Sequence, residues 1–211
     1  MNKLYKYPRT PHFPFSLGVT KDDKVLSSTN HFNNKLVVVT EKMDGENTTI
    51  YNDYYHARSL DSKHRDYHSY LLANILPMIQ YQIPNNYRIC GEYLYAKHSI
   101  YYENLENYFL VFSIWNNDIC ISWEDVEQLC KEWKINTVPV LYKGIYDENK
   151  IKEIANEVVK KGGEGIVVRL QDAFLYNDFN NSIAKFVRAN HVQTNSHWSQ
   201  SIIEQNKLKN N

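Results

Sequence analysis

Lys35-Leu36-Val37-Val38-Val39-Thr40-Glu41-Lys42-Met43-Asp44-Gly45-Glu46-Asn47-Thr48-Thr49-Ile50-Tyr51 is the stretch on which the fold turns. Lys35 to Thr40 is dense in β-branched residues and reads as a strand. Glu41 to Asn47 breaks it with charge and with Gly45, and Thr48 to Tyr51 resumes as a second strand. Lys42 therefore falls where a buried strand gives way to a polar turn. Gly45 frees the backbone to turn and to approach a ligand closely. A lysine that acts as a nucleophile has to be neutral, and burial or a neighbouring cation lowers its pKa toward that form. A strand-end lysine packed into a ligand pocket meets the condition. On its own, Lys-x-Asp-Gly reads first as a solvated turn.

Outward from this stretch both strand-like and helix-like runs occur, which points to a mixed α/β or α+β domain. Tyr55 to Arg58 is a third strand. Asp61 to Gln80 reads as a helix, with Leu71, Leu72, Ile75 and Ile79 near helical spacing and Pro77 set to kink or end it. Tyr87 to Tyr95 is a strand that carries Glu92. Tyr108 to Trp115 is a buried strand, with Asp118 to Ile121 as its hairpin partner across Asn116-Asn117. Ser122 caps a helix that runs to about Trp133. Val138 to Tyr142 is a short strand, and Asp147 opens an amphipathic helix that ends at Lys161 with Gly162 as its stop. Glu164 to Leu170 and Ala184 to Arg188 are strands. Gln193 to Asn211 is polar, with a weak helix expected. Residues 1–33 form an N-terminal arm. Its stretch Tyr7-Pro8-Arg9-Thr10-Pro11-His12-Phe13-Pro14 is too rich in proline for a helix or a central strand, and its aromatics favour an ordered, extended path. The roles of Arg9 and His12 stay open. With no repeat, low-complexity tract or linker, a single domain over residues 1–211 is expected.

At 211 residues, 43% hydrophobic and 23% charged, the chain can bury a core and is not disordered. Its formal net charge of zero lacks the basic surplus of a dedicated nucleic-acid binder, but leaves room for a local basic groove. Cys90, Cys120 and Cys130 lack the spacing of a disulfide framework or a zinc site and read as reduced, buried thiols. The histidines form no metalloprotease-type pair. The N-terminus has no apolar run of signal length, and no segment is apolar for long enough to span a membrane. A soluble, cytoplasmic setting without a membrane partner is expected.

Several further residues suit chemistry. Glu92, in Cys90-Gly91-Glu92-Tyr93, and Glu164, in Gly162-Gly163-Glu164-Gly165, are carboxylates beside glycines at strand ends. Such acids suit sugar hydroxyls or a divalent cation, and either one alone reads equally as a turn acid facing water. Arg58 ends a strand-like stretch. In Lys185-Phe186-Val187-Arg188, alternation sends the two cations to opposite faces, and Lys185 is the better candidate for a phosphate. Phe112, in Phe109-Leu110-Val111-Phe112-Ser113-Ile114-Trp115, packs in a core or stacks on a purine base.

The order of these pieces carries more than any one of them. Lys42-Met43-Asp44-Gly45, His56-Ala57-Arg58-Ser59, Gly91-Glu92, Phe109 to Trp115, Glu164-Gly165-Ile166-Val167-Val168-Arg169 and Lys185-Phe186-Val187-Arg188 resemble, in sequence order, the motif set of the covalent nucleotidyltransferases. These comprise RNA ligases, DNA ligases and mRNA capping enzymes. Asn47, five residues after Lys42, is similar to the phage-type RNA ligases. The longer phrases Glu41 to Tyr51, His56 to Asp61, Gly91 to Ile100 and Lys185 to Trp198, with Tyr7 to His12, resemble a bacterial and viral family of ATP-dependent RNA ligases.

The resemblance implies an α+β fold of two antiparallel sheets with flanking helices, similar to an ATP-grasp-like adenylation domain, with ATP in the cleft between the sheets. It implies that Lys42 attacks the α-phosphate of ATP and carries AMP. The backbone near Glu41 and the ring of Phe112 would hold adenine, with Asp44 and Gly45 beside them. Glu92 would hold the ribose, and Arg58 and Asn47 would face the ribose or a phosphate. Glu164 would orient the lysine or hold Mg²⁺ (or Mn²⁺). Lys185 would contact the α-phosphate. Relatives often have a second lysine at the position of Arg188, which leaves that residue's part in cofactor binding open. AMP would pass to an RNA 5′-phosphate, and a 3′-hydroxyl would displace it. RNA ends are the implied partner, alongside an end-processing protein, and a monomer is expected. The chain departs from the family in leaving no room for an OB-fold or other C-terminal domain. A capping guanylyltransferase using GTP, a DNA ligase, and a non-catalytic nucleotide- or RNA-end-binding module are the alternatives.

Overall fold

The computed structural model describes residues 3–61, 64–189 and 203–209. Eleven strands fall among them: β1 (Leu36–Glu41), β2 (Glu46–Ile50), β3 (Tyr55–Ala57), β4 (Tyr87–Tyr93), β5 (Phe109–Asn116), β6 (Ile119–Cys120), β7 (Asn136–Thr137), β8 (Val140–Ile145), β9 (Gly165–Leu170), β10 (Phe174–Leu175) and β11 (Ile183–Val187). They form two sheets. The first has the order β11-β9-β1-β8, and the second the order β10-β6-β5-β4-β2-β3. Every pairing is antiparallel except one. The short β7 lies parallel to β5 through Leu110↔Asn136 and Val111↔Thr137, so the second sheet is mixed at that end. The strand foreseen at Val138 to Tyr142 begins at Val140 instead. Asn136–Thr137 joins the other sheet, and Pro139 stands between the two.

Period-two alternation sorts the first sheet. Val37, Val39, Ile166, Val168, Ala184 and Phe186 face a core built with Ile151, Ala155 and Val158 of helix α3 (Glu148–Lys160) and with Phe13 and Phe32 of the arm. The opposite parity sends Val38 into the core of the second sheet. Thr40, Val167, Arg169, Ile183 and Lys185 share that face. The second sheet packs Ile89, Tyr93, Phe109 and Ile114 against Trp123 and Val126 of helix α2 (Trp123–Glu132). A third cluster, Tyr7, Cys90, Trp115, Cys120, Phe174, Phe179 and Ile183, bonds the two sheets at their back.

Both long helices start and stop where their caps dictate. Ser122 accepts from the Asp125 N–H at 3.1 Å. Asp147 accepts from Asn149 and Lys150. Gly162, at φ +92°, ends α3 in the left-handed region. The helix foreseen over Asp61 to Gln80 starts later and is irregular. The chain is helical without a break over residues 66–82, with a 3₁₀ turn at Asp66–His68, a π turn at Leu71–Ile75, four α residues at Leu76–Ile79 (α1) and a 3₁₀ turn at Gln80–Gln82. Pro77 sits at the start of the α piece, directly after the π turn.

The arm follows the expected extended path and docks beside β11. Phe13 donates to the Lys185 carbonyl at 2.8 Å, and Lys185 donates to Pro11 at 2.9 Å. His12 exchanges backbone bonds with Lys24 and Leu26 on its other side. The weak helix foreseen over Gln193 to Asn211 lies partly outside the described residues. The described part, 203–209, is extended instead and clips onto residues 94–108 through the fully buried Asn206. Among the described residues, no helix is long and apolar enough to cross a membrane.

Candidate active site

Lys42 follows β1 directly and sits where the chain leaves the first sheet for the second. Its N–H donates to the Gly165 carbonyl at 2.9 Å, and the Glu41 N–H donates to the Pro139 carbonyl at 2.9 Å. These bonds clamp the turn between β9 and the entry to β8. The Lys42 Nζ lies 2.5 Å from Oε2 of Glu164. The lysine side chain keeps 25% of its surface and the glutamate only 7%. Glu164 is brought there by the close approach of β9 to β11. A Cβ on Gly165 would fall 2.0 Å from the Phe186 carbonyl oxygen, so only glycine fits.

The charge state of Lys42 corrects the expectation of a neutral amine. Burial pushes its pKa down, but the carboxylates of Glu164, Glu92 and Asp44 outweigh burial and raise it. Lys42 and Glu164 form an ion pair. Lys185 goes the other way: burial and the Lys42 ammonium lower its pKa, against Asp23 and Glu164.

The facing wall comes from the second sheet. Asn47 and Glu92 are register partners across β2 and β4. The Gly45 N–H donates to Oε1 of Glu92 at 3.0 Å. Burial pushes the Glu92 carboxyl up to about 8, with Lys42 opposing and Glu164 reinforcing. Asn47 Oδ1 is buried without a hydrogen-bond partner. Phe112 sits at the β-bulge where β5 slips past Cys90 and Gly91, and its ring meets Tyr7 edge-on at 5.1 Å. Arg58, one residue past β3, donates to the Tyr7 carbonyl at 3.4 Å. Burial and the nearby Arg9 lower its pKa.

One cleft collects Glu41, Lys42, Gly45, Asn47, Arg58, Glu92, Phe112 and Lys185, and Glu164 reaches it through Lys42. Two further sequence candidates do not line it. Asp44 spends its carboxylate on Ser99 and Ile100, accepting from their N–H groups at 2.7 and 2.8 Å and from the Ser99 hydroxyl at 2.9 Å. Its own N–H donates to the Tyr102 hydroxyl at 2.9 Å, so Asp44 fastens the loop after β4. Arg188 falls on the parity opposite Lys185, and its N–H donates to the Glu164 carbonyl at 2.9 Å. Sequence reasoning missed Tyr7, Thr10, Thr40, Val167 and Arg169, which also line the cleft. Parity with Lys185 in neighbouring strands was the available signal for Thr40, Val167 and Arg169. Tyr7 and Thr10 belong to the phrase Tyr7 to His12, which marks the arm but not which of its residues reach the cleft.

Two packed sheets with a lysine at their junction and a glutamate-flanked cleft between them define a nucleotidyltransferase fold. The RNA ligase family profile matches residues 35–187, well over half of the chain, and the protein belongs to that family. Among solved structures, an archaeal ATP-dependent RNA ligase superposes with a TM-score of 0.64 at 15% identity, over 88% of this chain and 48% of its own. A protein of Aquifex aeolicus described as an ATP-dependent DNA ligase gives 0.60 at 22% identity, over 88% and 50%. A Naegleria gruberi RNA ligase variant solved with ATP and Mn gives 0.57 at 16% identity, over 89% and 59%. These likenesses show the fold, and the chain spans about half the length of the first of these relatives. No curated protein matches the chain.

Proposed function

We propose that the protein is the adenylating unit of an ATP-dependent RNA ligase and carries AMP on Lys42. The observation that carries this reading is the Lys42–Glu164 contact of 2.5 Å at the mouth of a cleft that also presents Glu92, Phe112 and Lys185. Family membership and the ATP bound by the Naegleria relative support the choice of nucleotide.

Phe112 stacks on the adenine, with the backbone at Glu41 beside it. Glu92 binds the ribose, its carboxyl held at the cleft by the Gly45 N–H. Asn47 and Arg58 face the ribose or a phosphate. Glu164 takes one proton from the Lys42 ammonium, and the freed amine attacks the α-phosphorus. An N–P bond forms, the bond to pyrophosphate breaks, and the second Nζ proton leaves with the pyrophosphate. Lys185 stabilises charge on the transferring phosphoryl oxygens. AMP then moves to an RNA 5′-phosphate, and a 3′-hydroxyl displaces it to close the phosphodiester.

Among the described residues, no group of three or more His, Cys, Asp or Glu side chains could hold a metal. Glu164 and the unpartnered Asn47 Oδ1 fit Mg²⁺ or Mn²⁺ held largely by the triphosphate, the usual mode for these cations. Such an ion would offset phosphate charge. Asp44 and Arg188 support the site from outside it. RNA ends are the substrate, with an end-processing protein supplying ligatable termini to a monomeric enzyme. Buried free thiols at Cys90, Cys120 and Cys130 suit a reducing cytoplasm.

Intact-mass spectrometry after incubation with Mg²⁺ and ATP tests the reading. A gain of one AMP, absent in Lys42→Ala, is expected. A gain from GTP alone would point to a capping enzyme. No gain with either nucleotide in a folded sample would point to a binding module. Sealing of nicked DNA in preference to RNA would move the reading to a DNA ligase.

A further inference from the structure

Lys185 has two carboxylates near it. One, Glu164, belongs to the site already described. The other, Asp23, comes from the arm far back in the chain. Asp23 Oδ1 lies 3.9 Å from the Lys185 Nζ, and each side chain keeps 18% of its surface. Asp23 is itself tightly held. Its Oδ2 accepts from the Thr20 N–H at 3.0 Å and the Thr20 hydroxyl at 2.8 Å. The same Oδ2 lies 3.5 Å from Nε2 of His12, which is 1% exposed. The His12 Nδ1 meets the Ser16 hydroxyl at 2.8 Å, and Ser16 in turn accepts from the Val187 N–H at 3.0 Å. The backbone of Pro11 to Phe13 is bonded to Lys185 itself. The arm thus grips the strand of Lys185 by its main chain and the tip of Lys185 by a fixed carboxylate.

We propose that Asp23 is a positioning residue for Lys185, and that the arm's His12–Asp23 pair aims the Lys185 ammonium at the phosphate transferred to Lys42. The inference rests on the reading given under Proposed function. The physical need is plain. Lys185 is a long, flexible side chain facing other cations, Lys42 and Arg58, which repel it from the place where it is required. Glu164 is committed to Lys42. Asp23 provides the attraction from the arm side that keeps the ammonium charged and at the cleft wall. The charged groups that face Lys185 are Lys42, Glu164, Arg58 and Asp23, with His12 behind Asp23. Removing Asp23 leaves Lys185 with cations and a single shared carboxylate, so its proton affinity falls.

Two measurements on the full chain test this. ¹⁵N-lysine NMR titration follows the Lys185 Nζ in the parent and in Asp23→Asn, assigned with Lys185→Arg. The Lys185 pKa is expected to drop in Asp23→Asn and to recover in Asp23→Glu, whether or not the enzyme turns over. Single-turnover AMP transfer to Lys42 at saturating ATP is then followed against pH. Asp23→Asn is expected to slow it by roughly tenfold and to move its alkaline limb to lower pH. The slowing should vanish in a Lys185→Ala background, because the two act as a unit. Thr20→Val removes one of the bonds that fix the Asp23 carboxylate and should move the profile in the same direction by less than Asp23→Asn. An unchanged Lys185 titration, or additive losses in the Asp23→Asn, Lys185→Ala double variant, would overturn the proposal. A parent protein that takes up no AMP would sink the proposed function, while the titration would still decide whether Asp23 governs Lys185.

Discussion

Glu92 and Lys42 both depart from ordinary ionisation. Each is set by the competition between burial and neighbouring charge. The Glu92 carboxyl titrates at about 8 against an ordinary 4.5. A raised carboxyl pKa means that the folded protein binds the proton more tightly than the unfolded one between those values. Stability is therefore greatest at low pH within that window and declines as pH rises from about 4.5 to about 8, by at most about 1.4 kcal/mol per pH unit. Urea denaturation of the nucleotide-free protein at pH 5.5, 6.5 and 7.5 should show this decline, and Glu92→Gln should flatten it. A parent slope equal to that of the variant would refute the assignment. Much of this scale was readable beforehand. Lys42, Glu92, Phe112 and Lys185 stand beside glycines or within apolar strands, so local sequence marks them. Asp44 sits in the same motif as Lys42, yet its carboxylate turns to Ser99. No local pattern distinguishes those two directions. The pKa of Lys42 was misjudged for a similar reason: three carboxylates from three elements decide it, and only one is adjacent in sequence.

At the scale of elements, both capped helices and most strands followed from periodicity and capping residues. The stretch Asp61 to Gln80 followed only in part, as an irregular helix that starts at Asp66, and Glu46 shows why. Its carboxylate accepts from the Tyr67 hydroxyl at 2.6 Å and contacts Nε2 of His68 at 2.7 Å. Tertiary bonds to β2 hold the 3₁₀ turn of Asp66–His68 in a shape that helical spacing alone would not select. Burial works to raise the Glu46 pKa, but the bonds from His68 and Tyr67 prevail and lower it. A lowered carboxylate pKa contributes stability that is present above the ordinary value and lost as pH falls through the folded-state value. Glu46→Gln should cost about 1–3 kcal/mol at pH 7, and the gap from the parent should narrow below pH 4.5, as read by chemical denaturation. A gap that persists unchanged in acid would show that packing, not ionisation, sets it. Residues 203–209 were equally illegible. Asn206 bonds to Leu94, Tyr102 and Tyr108, about a hundred positions earlier, and a polar tail carries no sign of such distant partners.

For the whole molecule, the two-sheet architecture was implied by motif order and not by any strand alone, and the docking of the arm was invisible in both. Because the cleft takes residues from both sheets and from the arm, a nucleotide bound there ties together all three. A non-hydrolysable ATP analogue at a hundredfold excess over its Kd should raise stability by about 2.7 kcal/mol while unfolding stays a single transition. Calorimetry with and without the analogue reads both outcomes. A stabilised half melting apart from the rest would show that the sheets are separate cooperative units.

The strand order has a consequence for how the protein is made. β2 finds β3 within a few residues, but β1, the strand that delivers Lys42, lies between β8 and β9. On a ribosome, the apolar Val37 to Val39 must wait for Val140 to Ile145 before one strand neighbour exists, and for Gly165 to Leu170 before the other does. Translation order thus holds back the sheet that carries Lys42 until its later strands are made.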